Sequence, residues 1–300
     1  MIALLHSRIR VEERLLAEEL GKRNIPHEML DVRDLVFDLS DPAPWSRYAA
    51  VFERCISQTQ AVAAVRCFEA FGVPCVNPSS VIDLCGDKLA TSAALARAGV
   101  PQPRTRIALD EPAALRAVEE NGYPAVLKPA VGSWGRLLAR VNDRDAAEAI
   151  IEHKATLGSV AHSVFYVQEY IDKPQRDLRV FMVGLEPICG IMRESRHWIT
   201  NTARGGVASK LEITSEMADI CRRAAIAATA SIGGTGGVLA IDLLEDPVRG
   251  LVVSEINHTR EFRNSSAPTG VDIPGRMIDW VVEAARVGRI ARAESCVSSR

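Results

Sequence analysis

No uninterrupted apolar run in this sequence approaches the roughly 20 residues that cross a bilayer. The opening Met1–Leu5 is apolar but only one strand long, and His6, Arg8 and Arg10 follow at once, so neither a signal peptide nor a membrane anchor is expected. An excess of one charge sign is also lacking. The 36 basic and 38 acidic side chains leave a net charge of −2, with no general pull toward nucleic acid or an anionic membrane. The seven cysteines, Cys55, Cys67, Cys75, Cys85, Cys189, Cys221 and Cys296, are odd in number, scattered, and form no Cys-x-x-Cys. Reduced thiols in the cytoplasm are the expectation, and structural zinc lacks paired Cys/His ligands. Gly-Lys-Ser/Thr and Gly-x-Ser-x-Gly are both missing, so a Walker loop and a serine-hydrolase elbow have no support. There is no internal repeat or low-complexity tract.

What is present is a chain of 300 residues, 47% hydrophobic and 25% charged, the balance of a globular protein longer than one ordinary domain. Residues 1–86 alternate short apolar runs with helical patterns, which predicts a parallel α/β sheet. Strands are expected at Ile2–Leu5, Glu28–Val32, Ala50–Phe52 and Val73–Val76, with helices at Val11–Gly21 and Ala61–Phe71. Residues 87–170 form a second region, an α+β module of about 80 residues. It holds a helix over Lys88–Ala98, strands at Ala125–Lys128, Leu137–Val141 and Val164–Tyr170, and a glycine-bearing turn at 132–136. Residues 171–287 are rich in strand signals: a hairpin around Val183-Gly184 and the runs Val238–Leu244 and Leu251–Ile256, with helices at Thr214–Ser231 and Ile278–Ala285. Residues 288–300 are polar and expected to be a frayed, flexible tail.

The strongest chemical signal is Asp242 with Glu255-Ile256-Asn257. Side chains alternate along a strand, so Glu255 and Asn257 share a face, and Asp242 lies on the neighbouring strand. Two carboxylates and an amide oxygen make an all-oxygen site suited to Mg²⁺ that bridges phosphates. The plainer reading is a polar strand face, but a buried strand such as Val238–Leu244 would not ordinarily carry an unpaired carboxylate. Lys128 ends an apolar strand four residues before the Gly132-Ser133-Trp134-Gly135-Arg136 turn. A lysine beside a glycine loop can hold phosphate, although strand-end lysines are usually just solvated. Gly233-Gly234-Thr235-Gly236-Gly237 precedes a strand and reads as a flexible turn, not a dinucleotide fingerprint. Gln168-Glu169-Tyr170-Ile171 ends a strand at a regional junction, where backbone can pair with a planar base. Asp177 and Arg179 follow, and Arg193, Asn201, Arg204 and Gly205-Gly206 have the texture of an anion-binding loop. His197 and His258 lack metal-ligand spacing and read as wall residues of a site.

In order along the chain, these elements resemble the ATP-grasp superfamily, and the resemblance covers nearly the whole sequence. Longer phrases, including Glu53-Arg54-Cys55-Ile56-Ser57-Gln58, the 132–139 stretch, the run from His197 to Gly206, and Gly270-Val271-Asp272-Ile273-Pro274-Gly275, are similar to the LysX-type ligases. Those enzymes join α-aminoadipate to an amino-group carrier protein in lysine biosynthesis, and the RimK-type glutamate ligases are their nearest relatives. The resemblance implies a three-subdomain ATP-grasp fold behind an N-terminal α/β pre-ATP-grasp domain. It implies ATP and two Mg²⁺ ions, a small acidic carrier protein and an amino acid as partners, and a homo-oligomer as one possible assembly. Lys88 and Lys128 would contact the nucleotide and its phosphates, and Gly132, Ser133, Trp134, Gly135 and Arg136 would close over them as a flap. Gln168, Glu169, Tyr170 and Ile171 would hold adenine, and Asp177 the ribose or nearby phosphate region. Lys128, Arg193 and Asn201 would serve phosphoryl transfer, and Asp242, Glu255 and Asn257 would hold the metal. Arg193, His258, Thr259, Asn264 and Ser265 would meet the amino-acid substrate. Trp134 and Arg136 depart from many ATP-grasp flaps, which carry small residues there.

Relatives that use α-aminoadipate carry Asn and a small residue after a Glu-Phe-basic phrase, and relatives that use glutamate carry Gly-Phe. Glu261-Phe262-Arg263-Asn264-Ser265 therefore favours α-aminoadipate, against the bland reading of a turn. Two other readings are a RimK-like ligase that adds glutamate to a protein and a non-catalytic nucleotide-binding module.

Overall fold

The computed structural model describes residues 1–132, 137–158, 163–200, 205–258 and 261–298, with side chains to residue 288. Three sheets follow one another along the chain. The first is built from β1 (Ile2–His6), α1 (Val11–Lys22), β2 (His27–Asp31), β3 (Ala50–Glu53), α2 (Gln58–Ala70), β4 (Cys75–Val76) and α3 (Ser79–Gly86). Its order is β2-β1-β3-β4, parallel throughout. The chain builds outward from β1 to one side and from β3 to the other. The gap beyond the carboxyl ends of β1 and β3 is thus a topological switch point, where α/β sheets leave a crevice.

Next come α4 (Lys88–Arg97), β5 (Thr105–Ala108), α5 (Glu111–Asn121), β6 (Ala125–Lys128), β7 (Ala139–Val141), α6 (Arg144–Leu157) and β8 (Phe165–Glu169). The sheet runs β5-β8-β6-β7, all antiparallel, and is backed by α5 and α6 through Ala114, Val118, Ala147 and Ile151. The last region holds β9 (Arg176–Gly184), β10 (Glu186–Glu194), β11 (Val207–Leu211), α7 (Ser215–Ala228), β12 (Gly237–Asp246), β13 (Gly250–Asn257), α8 (Arg263–Thr269) and α9 (Ile273–Ser298). Its five strands run β11-β10-β9-β12-β13.

The faces of this sheet position the chemistry. Leu178, Val180, Met182, Leu239, Ile241 and Leu243 pack on α7. The alternate residues Phe181, Val183, Val238 and Ala240 join a core with Leu4, Phe52, Met277 and Val281, which ties this sheet to the first one. Asp177, Arg179 and Asp242 have the same parity as Phe181 and Ala240. One face therefore passes from apolar core to charged wall along two strands.

The structure corrects several expectations. The sequence reading overlooked α3, β5, α5 and β11, of which β5 and β11 are only 4 and 5 residues long. The tail expected after Gly288 continues as α9 to Ser298. Gly288 is no stop signal: a Cβ there would come 2.1 Å from Pro74 Cγ, so the glycine lets the helix approach that ring. Nor is the Gly233–Gly237 turn loose. A Cβ on Gly236 would fall 2.1 Å from the Gly184 carbonyl, a close backbone crossing that only glycine permits. Among the described residues, no helix is long and apolar enough to cross a membrane.

Candidate active site

A cleft between the second and third sheets gathers Lys88, Lys128, Gly132, Gln168, Glu169, Tyr170, Ile171, Asp177, Arg193, Asp242 and Glu255. A larger groove, about 1110 Å³, lies beside α5 and α6 and has no such convergence of cations and carboxylates. We place the chemistry in the charged cleft.

Its wall is a lattice of ion pairs. Asp242 stands opposite Arg179 on β9 and opposite Glu255 on β13. Arg179 Nε and Nη2 donate to the two Asp242 oxygens, each at 2.7 Å. Arg193 Nη2 lies 3.1 Å from Asp242 Oδ2, and its Nε donates to Asp177 Oδ1 at 2.5 Å. Burial opposes the charge on Arg193, but Asp242 and Asp177 outweigh it and hold its pKa above the ordinary value. The sequence argument from an unpaired Asp242 is therefore corrected: the buried carboxylate is paired twice. Asp177 likewise accepts from Thr200 Oγ1 at 2.5 Å, and Lys173 Nζ donates to Thr200 Oγ1 at 3.0 Å.

Glu255 is different. It reaches into the cleft, 27% exposed, with Lys88 Nζ 3.9 Å from Oε1. That ammonium also donates to the Gly132 carbonyl at 2.5 Å, which ties the start of α4 to the glycine turn. Lys128 is half-buried, and loss of water pushes its pKa down to about 8 despite Glu255 nearby. Two lysines and a carboxylate at a cleft mouth suit an anionic ligand that brings a cation. A bulge between Asp242 and Leu243 makes Ser254 the extra residue, which re-aims β13 beside the site.

Among the described residues, no three His, Cys, Asp or Glu side chains converge as a ready metal centre. Asp242 and Glu255 face each other across one register position, and Asn257, two residues on, follows on the same face. This all-oxygen set fits Mg²⁺ held by few protein ligands and completed by phosphates and water.

Gln168 lines the cleft while its amide donates to Thr105 Oγ1 and Tyr166 Oη, both at 3.2 Å. The Glu169 carboxylate is held by Arg104 and Arg249. Tyr170 lies under Arg140 and edge-on to Trp198. Lys173, Leu138, Trp198, Thr200 and Leu244 also line the cleft. Sequence reasoning did not single out Lys173, and the apolar walls carried no signal beyond strand periodicity.

The remaining expected residues stand apart from the cleft lining. Asn257 is buried on β13, and His258 Nδ1 lies 3.4 Å from Glu53 at the end of β3. Asn264 and Ser265 are not a turn: they begin α8, with Asn264 exposed and Ser265 buried. Ser133, Trp134, Gly135, Arg136, Asn201, Arg204, Thr259 and Arg260 lie outside the described residues.

The geometry agrees with the comparisons to known proteins. A LysX preATP-grasp domain matches residues 2–84 and a RimK-like ATP-grasp domain matches residues 85–281. The chain belongs to the RimK-like ATP-grasp family and is an ATP-dependent carboxylate–amine ligase. It is 34% identical over 286 residues to the glutamate–LysW ligase ArgX of Sulfolobus acidocaldarius, covering 93% of this chain and 97% of that one. It is 32% identical over 288 residues to the α-aminoadipate–LysW ligase LysX of Sulfurisphaera tokodaii, covering 94% and 98%. The RimK domain ATP-grasp protein of Sphaerobacter thermophilus superposes with a TM-score of 0.77 at 27% identity, covering 93% of this chain and 98% of that one.

Proposed function

We propose that this ligase activates the γ-carboxyl of a carrier protein's C-terminal glutamate as an acyl phosphate and joins it to the α-amino group of α-aminoadipate. The observation that carries the ligase chemistry is the cleft itself. Lys88 and Lys128 face Glu255, and Arg193 is buried between two aspartates. The carrier and amino acid follow from the relatives' names, and the choice of α-aminoadipate rests on Asn264-Ser265.

A carboxylate is a poor acyl donor because oxide leaves badly. Transfer of the γ-phosphoryl group of ATP makes an acyl phosphate that an amine attacks. Lys88 and Lys128 offset phosphate charge as the nucleotide binds, and Arg193, held rigid by Asp177, steadies the transferring group. Asp242, Glu255 and Asn257 would hold Mg²⁺, two ions in the full reading, and that bound charge would offset the charge of the phosphates. Gln168–Ile171 hold the adenine. Asn201, Thr259 and the 133–136 stretch complete the phosphoryl and substrate contacts. Residues 1–86, 87–170 and 171–287 act as three modules around this centre.

Glutamate as the amino acid is the second reading, and the name of the Sulfolobus acidocaldarius relative favours it. The test is intact mass of a purified candidate carrier after incubation with enzyme, ATP and Mg²⁺ across a panel of amino acids. Addition of one α-aminoadipate less water supports the proposal. Addition of glutamate alone moves the substrate, and an unmodified carrier with every amino acid overturns it.

A further inference from the structure

Beyond the carboxyl ends of β1 and β3, at the switch point of the first sheet, is a cavity of about 330 Å³. We infer that it binds the ω-carboxylate and methylene chain of a free dicarboxylic amino acid. This rests on the ligase reading above and names the place of its amine substrate.

The cavity joins two kinds of surface. Arg8, Arg10, Arg14 and Arg263 supply guanidinium groups around it. Glu13 takes Arg10, with Nη2 to Oε1 at 2.7 Å. Among the described residues, no carboxylate lies within ion-pair distance of the Arg8, Arg14 or Arg263 guanidinium. Glu12, which also borders the cavity, is buried and accepts from the Arg263 backbone N–H at 3.2 Å, leaving Glu261 as the exposed acid. The balance is cationic, and the guanidinium fork matches a carboxylate. The other surface is apolar. Ile9, Val11 and Ile56, exposed by 46%, 43% and 41%, line the same cavity. Ser7 Oγ accepts from the Ile56 N–H at 3.0 Å, which pins the loops after β1 and β3 together. An apolar wall beside arginines suits methylenes that end in a carboxylate.

The cavity is close in sequence to the cleft. Strand β13 carries Glu255 and Asn257, and the chain continues past His258, whose carbonyl accepts from Asn77 at 3.2 Å. It reaches Phe262, which is fully buried with the Arg54 guanidinium 5.8 Å from its ring. Arg263 then enters the cavity wall. The same short stretch thus links the candidate metal strand to the arginine-lined cavity, so an amino acid seated there is tethered close in sequence to the phosphoryl centre.

The test is calorimetric titration of glutamate, α-aminoadipate and norleucine, which lacks the ω-carboxylate, into the full-length protein with an ATP analogue and Mg²⁺ and no carrier. The wild type should bind at least one dicarboxylic acid more tightly than norleucine. Arg14→Ala and Arg8→Ala should each weaken that acid about tenfold or more while norleucine and nucleotide binding stay unchanged. Arg14→Lys should recover part of the loss. Equal dicarboxylate affinity in wild type and both alanine variants overturns the assignment, as does a wild type that binds neither dicarboxylic acid. The readout needs no carrier, so it fails or succeeds independently of which carrier the enzyme modifies.

Discussion

Among the described residues, two clusters of buried charge differ in what surrounds them. At the end of the first sheet, Glu13, Glu53 and Arg54 are all 2% exposed or less, sealed by Phe52 and Phe262. In the cleft, Asp177, Arg179, Arg193 and Asp242 are nearly as buried, but their row ends in Glu255, which is open. A sealed network has one set of partners and can serve only to fix geometry. An open row can accept a phosphate or a cation and redistribute its pairs. Burying charge is costly in both places, so the sealed cluster is the structural one and the open cluster the chemical one.

That contrast can be broken by mutation. The largest effect is expected in the open row: Asp242→Asn and Glu255→Gln should each lower ligation-coupled ADP release at least about a hundredfold, with the unfolding midpoint nearly unchanged for Glu255→Gln. Near-normal turnover in both variants would remove the metal assignment. In the sealed cluster the damage should fall on stability. Arg54→Met leaves Glu13 and its neighbours short of a buried cation and should cost about 3 kcal/mol or more in urea unfolding. A loss under about 1 kcal/mol would show that the cluster is not a tightly coupled network.

A third effect follows from Lys128, whose ammonium is disfavoured by burial, which pushes its pKa down to about 8. Phosphate stabilises the charged form, so nucleotide affinity should be full below pH 8 and fall as pH rises past it, with proton uptake on binding in that window. Lys128→Arg should flatten the dependence. Nucleotide affinity in the wild type that is flat from pH 7 to 9.5 would contradict a phosphate role for Lys128.

The smallest effect concerns substrate choice. Ser265 is 2% exposed, so a phenylalanine there would overpack the site. The cleaner test is Asn264→Gly, which should shift the kcat/KM ratio toward glutamate by no more than about tenfold, since one methylene is worth only ~1–3 kcal/mol. An unchanged ratio would leave Asn264 as a surface residue of α8.

The contrast also explains what was legible in the sequence. Lys128, Asp242 and Glu255 stood out because polar residues interrupt apolar strands, and a strand's two-residue period predicts which face they share, whereas Lys88, Asp177 and Arg193 owed their roles to the family resemblance. Their pairing was not legible, because Arg179 meets Asp242 across 63 residues. The sealed cluster was invisible for the same reason. Glu13 sits in the first turn of α1, and its partner Arg54 lies 41 residues away. The fold class came through because strand–helix alternation is local, whereas β5, at 4 residues, is too short for a period to register.

The central claim is that the cleft makes an acyl phosphate from ATP. Incubation of enzyme, ATP, Mg²⁺ and carrier with hydroxylamine in place of an amino acid tests it directly. The account predicts a hydroxamate on the carrier's terminal glutamate, one ADP released per hydroxamate, and neither product with Glu255→Gln. Release of AMP and pyrophosphate, or carrier that stays free of hydroxamate while the same preparation ligates an amino acid, would contradict it.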